Sequence, residues 1–160
     1  MRIIHTASFV DTADGYTTLG EMGPQTARHG FLQLCGGGID NNDLRGEFFD
    51  MTHNITKELQ EELGIDVADV ARVAYFGEAY FKQGGPTDKM TVIFRVELRD
   101  TKEEFLEKYA AFTKQLAEQG ENPEFGEIIM LKKDQGVIQE FFAQDTRKRD
   151  EYIQPAFEER

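Results

Sequence analysis

The apolar and polar positions of the chain follow two periods, and the switches between them mark the elements. Residues 2–10 alternate around apolar and β-branched positions and predict a strand. The turn-like Thr12-Ala13-Asp14-Gly15 leads into a short second strand at 16–19. Residues 31–34 form a brief apolar strand that runs straight into Gly36-Gly37-Gly38, and a polar loop rich in Asn and Asp follows from 40 to 46. Helical spacing takes over at 50–63, with Asp50 suited to the N-cap and Gly64 to the left-handed residue that ends a helix. Residues 70–81 and 90–98 read as two long strands joined by Gln83-Gly84-Gly85-Pro86-Thr87-Asp88. Thr101 and Glu104 match a capping box, after which Phe105, Tyr109, Phe112 and Leu116 recur on one helical face, and Gly120 can end that helix. A strand at 127–131 and a last helix at 134–142 follow, leaving 145–160 as a charged tail in which Arg147-Lys148-Arg149 reads as a solvated segment. Strands interleaved with helices in this order predict a mixed α/β (α+β) sandwich.

Length and charge narrow the class. With 160 residues the chain suits one domain spanning 1–160, and 39% hydrophobic with 30% charged residues is a globular composition. Its net charge of -12 repels nucleic-acid backbones, so no nucleic-acid partner is expected, and an acidic protein that handles phosphates needs a cation to mediate the contact. Cys35 is the single cysteine, which excludes an internal disulfide and fits a reducing compartment. The first residues turn polar quickly, and no stretch approaches the ~20 apolar residues of a membrane span. A cytoplasmic protein with no membrane partner is the expectation.

The chemistry concentrates in Lys57-Glu58-Leu59-Gln60-Glu61-Glu62-Leu63-Gly64-Ile65. At about 100° per residue, Glu61 and Glu62 flank Glu58, so all three carboxylates fall on one helical face within roughly 100°. Ile55, Leu59 and Leu63, spaced by four, fall on a different face that can anchor the helix in a core. Like charges at this spacing destabilise a helix, whereas a hard dication converts the cost into affinity, since Mg²⁺ favours carboxylate oxygens, retained waters and substrate phosphates.

Residues 57–65 resemble the second half of the Nudix signature, G-x5-E-x7-R-E-U-x-E-E-x-G-U with U aliphatic, with Lys57 in place of its arginine. Gly36-Gly37-Gly38 resembles the glycines that open the motif, and Gly46-Glu47 the pair that ends its first part. The spacing departs from the pattern. Gly38 to Glu47 is 47 − 38 = 9 positions instead of six, and Glu47 to Lys57 is 57 − 47 = 10 instead of eight, with Phe48-Phe49 reading as the second insertion.

The resemblance implies an α/β/α sandwich with a mixed central sheet, the motif helix, an extra helix and a C-terminal helix. It implies metal ligands at Glu58, Glu61, Glu62, the outlying Glu47 and the Gly38 carbonyl, and Mg²⁺ or Mn²⁺ as the cofactor. The implied activity is hydrolysis of the diphosphate linkage of a nucleoside diphosphate joined to another moiety, such as a nucleotide sugar, a dinucleotide or a nucleoside triphosphate. Lys57 would orient a helix glutamate as a point charge where the family has a planar fork. Glu127 or Glu124 competes with Glu58 as general base. An alternative is a domain that binds its nucleotide as a sensor or regulator with little turnover; Lys57 and the long loop favour it, and the retained glutamates argue against it. A third reading is an acidic interaction domain. His5, His29 and His53 show no ligand spacing, Cys35 reads as a small buried residue, and Phe31, Tyr80 and Phe81 read as core aromatics that could stack on a base. The extra helix could line the cleft, pair two subunits in a homodimer or cap the sheet, and packing on the sheet is expected.

Overall fold

The computed structural model describes residues 4–84 and 89–160. The start of the first predicted strand and most of the 83–88 turn lie outside these residues. Strands β1 (Ile4–Asp11), β2 (Tyr16–Met22), β3 (Leu32–Gln33), β6 (Val73–Gly84), β7 (Lys89–Leu98) and β8 (Phe125–Lys132) build one mixed sheet, and β4 (Leu44–Arg45) pairs with β5 (Phe48–Phe49) as a small separate hairpin. The helices are α1 (Met51–Leu63), α2 (Lys102–Glu118), α3 (Gln135–Gln144) and α4 (Ile153–Glu158).

The sheet forks. β1 runs parallel to β7 from Ile4–Met90 to Asp11–Glu97, and β6 closes that side antiparallel to β7. β2 pairs antiparallel with β8, but meets β1 only at Asp11–Thr17. The wedge between β1 and β2 is filled by the residues after β3. Ser8 N–H donates to Cys35 O and Thr6 N–H to Gly37 O, both at 2.8 Å, and Ile39 N–H donates to Ile4 O at 3.1 Å. The glycine segment is thereby held in the middle of the sheet.

Strand alternation splits the core in two. On one face Val10, Val92, Phe94 and Val96 pack with Ile55, Leu59 and Leu63 of α1 and Phe105 of α2. On the other, Ala7, Phe9 and Ile93 pack with Ile138 and Phe142 of α3 and Ile153, Ala156 and Phe157 of α4. The result is the expected α/β/α sandwich. Among the described residues no helix is long and apolar enough to cross a membrane.

Three expectations need correction. The 145–160 segment is no solvated tail: Ile153, Ala156 and Phe157 are fully buried, at the one-turn spacing of an amphipathic helix, and Phe157 packs edge-on against Phe9 at 4.8 Å. Arg147 is likewise not free in solvent, since it grips Asp145 and reaches Glu21 at 2.8 Å. The 40–46 loop is ordered by a 3-10 turn at Asn41–Asp43, capped reciprocally by Asp40 and Asp43, and then by the β4–β5 hairpin.

Candidate functional site

Helix α1 carries the site. Asp50 caps it by accepting from His53 N–H at 2.9 Å, and Gly64 ends it in the left-handed region at φ 64°. Its apolar stripe, Ile55, Leu59 and Leu63, is pinned in the core. That anchoring fixes the rotation of the helix and turns the adjoining polar edge, Asn54, Glu58 and Glu62, toward the glycine segment in the fork.

Asn54 is fully buried and ties three pieces of chain together. Its amide donates to Gly38 O at 3.1 Å and to Asp43 Oδ2 at 2.9 Å, and its carbonyl oxygen accepts from Thr6 Oγ1. Asp43 also accepts from Asp40 N–H at 3.1 Å, and its backbone oxygen accepts from Asp50 N–H at 2.8 Å. Residues 43 and 50 therefore close the base of the inserted hairpin, which projects without displacing α1. Sequence reasoning missed this pair. The available signal was that Asn54 lies at 320° on the helical wheel, between Glu61 and Glu58, on the carboxylate face.

Of the three carboxylates on this helical face, Glu62 is 2% exposed, Glu58 is half-buried and Glu61 is exposed. At 40° on the wheel Glu62 adjoins the Ile55 stripe, so anchoring the stripe buries it. Its Oε2 accepts from Gly36 N–H at 3.0 Å. Burial pushes its carboxyl well above the usual range, and the neighbouring Glu124 carboxyl pushes it further. Glu58 lies against Gly37, where even a Cβ would stand 2.5 Å from Oε1, so glycine there leaves room for the carboxylate. Burial raises Glu58 to about 7; Lys57 opposes the rise, and Glu61 and Glu124 add to it. Burial and Glu62 together hold the Cys35 thiol well above its ordinary value, so Cys35 is an inert neighbour.

Lys57 stands where an orienting cation is expected, with Nζ 3.6 Å from Glu58 Oε1. Burial lowers its pKa, but the charges of Glu58, Asp43, Asp40 and Glu61 outweigh that and raise it. Arg28 and Arg45 are occupied elsewhere, by Asp150 and by the carbonyls of Asn42 and Leu44.

The remaining expected residues separate. Of the two loop glutamates, Glu124 reaches the cluster, whereas Glu127 sits exposed on β8 with Arg147 Nη1 at 3.4 Å from it. Glu47 occupies the exposed turn of the β4–β5 hairpin, with no hydrogen bond or ion pair to α1 among the described residues. The Gly38 carbonyl faces Asn54, one step along the segment from the Gly37–Glu58 contact. Phe31 is half-buried beneath Arg28 at 4.6 Å, and Phe81 is 64% exposed, so it is not core. Among the described residues no three His, Cys, Asp or Glu side chains converge into a finished metal shell. The fold supplies instead a row of carboxylates, two of them sunk beneath the surface.

Neither a family model nor a curated protein matches the sequence. Solved structures do match in three dimensions. The MutT protein of Methanosarcina mazei Go1 is similar over 99% of this chain and 91% of its own, at 14% identity and a TM-score of 0.58. A NUDIX hydrolase from Nitrosomonas europaea is similar over 99% of this chain and 87% of its own, at 13% identity and a TM-score of 0.52. A bifunctional NMN adenylyltransferase/ADP ribose pyrophosphatase from Francisella tularensis matches 98% of this chain with 40% of its own length, at 9% identity and a TM-score of 0.59. The chain has an α/β/α fold of the MutT/Nudix type. At these identities the likeness defines the fold, and the chemistry rests on the side chains of α1 and the fork.

Proposed function

We propose that this protein is a divalent-metal-dependent hydrolase that cleaves the diphosphate linkage of a nucleoside diphosphate joined to another moiety. The observation that carries the reading is the burial of Glu62 beside Glu58 and Glu124, with Lys57 as the cation beside Glu58. An ionised carboxylate buried without a partner costs several kcal/mol, so the metal-free cluster holds protons that a dication would replace. The donors are all carboxylate oxygens, and an incomplete protein shell suits Mg²⁺ or Mn²⁺, which keep waters and take up substrate phosphates. Glu58, Glu61 and Glu62 are the residues proposed to hold the ion, with Glu47 as an outlying candidate.

When bound, such an ion would neutralise charge on the diphosphate oxygens and acidify a water. The protein's own groups do the rest. Gly36 N–H fixes the Glu62 rotamer, and Lys57 steadies Glu58. Glu124 approaches from a different element and is the proposed general base, accepting the proton of the attacking water at its carboxylate oxygen.

The test is a panel of nucleotide sugars, dinucleotides and nucleoside triphosphates incubated with Mg²⁺, with the nucleotide products separated by chromatography. Turnover abolished by EDTA and lowered by orders of magnitude in Glu61→Gln, at unchanged Tm, is the expected result. A panel left intact, together with a Tm raised by Mg²⁺ and nucleotide, would overturn hydrolysis in favour of a binding role.

A further inference from the structure

Three consecutive backbone carbonyls are held where the chain enters β8. Gln25 Nε2 donates to Pro123 O, Gly23 N–H donates to Glu124 O at 2.7 Å, and Tyr109 Oη donates to Phe125 O at 3.3 Å. The donors come from two separate pieces of chain, the loop after β2 and helix α2. The strand is irregular at this point: Glu21 pairs with Glu127 but Met22 with Phe125, which leaves Gly126 as a bulge. The bulge breaks the alternation of β8. Phe125 packs on the α1 face, although Ile129 and Leu131, an even number of residues away, pack on the other. A Cβ on Gly126 would stand 3.2 Å from Gly23 Cα, so glycine here lets the two segments close on each other. The ring of Pro123 fixes a further torsion just ahead of Glu124.

We propose that Tyr109 and Gln25 are positioning residues that hold Glu124 against the glutamate cluster, so that α2 and the loop after β2 act on the chemistry through it. The inference rests on the hydrolase reading for what Glu124 does there. A general base must lie within hydrogen-bond reach of the proton it takes, and a glutamate just outside a strand has no ladder of its own to keep it there. The clamp supplies that fixity one residue to either side of Glu124 as well as at Glu124 itself. Packing does not call for the Tyr109 hydroxyl. The ring stacks parallel to Phe105 at 6.4 Å against the core, a place that phenylalanine would fill equally. What the hydroxyl adds is the bond to Phe125 O. Burial, helped by Glu62 and Cys35, pushes its pKa up to about 12, so it remains a donor at neutral pH. Gln25 is exposed, and its amide reaches back to Pro123 O without covering any core.

The experiment uses the full chain with Mg²⁺ and takes ADP-ribose, NADH and ATP as probes. It compares wild type with Tyr109→Phe, Gln25→Ala and the double variant, each also combined with Glu124→Gln. The double variant should lower kcat by about 10–100-fold and leave KM within about twofold. In the Glu124→Gln background the same two substitutions should change kcat by less than about twofold, because they act through Glu124. Amide exchange followed by NMR in the metal-free protein reads the clamp directly. Gly23 should exchange at least about tenfold faster in the double variant, with Phe9 and Val92 in the core strands unchanged. A kcat loss that persists undiminished in the Glu124→Gln background, a change confined to KM, or unaltered exchange at Gly23 overturns the assignment. If wild type leaves all three probes intact, the hydrolase reading falls, and the exchange at Gly23, measured without metal or substrate, decides the positioning of Glu124 by itself.

Discussion

Chelating divalent cations and raising the pH sets the buried carboxylates of α1 against each other. Glu58 holds its proton up to about pH 7 in the folded protein, against an ordinary value of 4.5. Its contribution to stability is therefore fully present below about pH 4.5 and is lost as the pH rises through 7. Glu62, raised by the same burial, acts with the same sign. At about 1.4 kcal/mol per pH unit, the interval from 4.5 to about 7 amounts to about 3 kcal/mol for Glu58, and the solvent reaching one edge of the carboxylate reduces it to about 2 kcal/mol. At about 2–4 °C per kcal/mol for a chain of this size, the metal-free protein should lose about 4–8 °C in Tm between about pH 5 and about pH 8 through this residue alone. Mg²⁺ should reverse the loss, because it binds the deprotonated carboxylates and at 100 times its Kd adds about 2.7 kcal/mol. Differential scanning fluorimetry of wild type and Glu58→Gln, with EDTA and with Mg²⁺ across that pH range, reads both effects. A Glu58→Gln profile parallel to wild type without metal, or an equal Mg²⁺ benefit at both pH extremes, would refute the reasoning.

Three further outcomes follow from the geometry. Lys57→Ala should weaken Mg²⁺-dependent turnover and Lys57→Arg should keep it, as read from kcat at limiting Mg²⁺, because Lys57 contacts Glu58 directly. Glu124→Gln should lower kcat by about 10²–10⁴, whereas Glu127→Gln, paired with Arg147, should leave it unchanged; equal losses would remove Glu124 from its role. Phe157→Ala should cost about 3–5 kcal/mol in denaturant unfolding, since the ring is fully buried between Phe9 and Phe142; a loss below about 1 kcal/mol would mean that α4 does not hold the sheet.

What could be read from the sequence depended on whether the signal was local. The caps of α1 and the capping box of α2 are set by residues within one turn, and both formed as expected. The strand and helix periods predicted a mixed α/β sandwich, and the layering into α/β/α was what the resemblance to the Nudix signature implied. The burial of Glu62 escapes a sequence reading because it depends on how far α1 rolls into the core, which is decided by Val92 and Phe94 from a distant strand. α4 escapes it because its short apolar stretch is flanked by charges on both sides, and only the facing Phe9 and Phe142 give it something to cover. The choice between Glu124 and Glu127 turns on where the chain enters β8: Phe125 is buried against Gly20, and the residue just before the strand is the one delivered to the cluster.

The closed base of the inserted hairpin bears on how such a protein can change. Because Asp43 and Asp50 meet across it and Asn54 fastens Asp43 to the glycine segment, the six residues between them form an outgrowth whose length is uncoupled from the glutamates of α1, and Glu47 travels with it. Loops of other lengths could be exchanged at this junction, by mutation or by design, with the carboxylate face of α1 kept in register. The projecting Phe48, 77% exposed, makes the hairpin a natural place to graft a recognition element without rebuilding α1 beneath it.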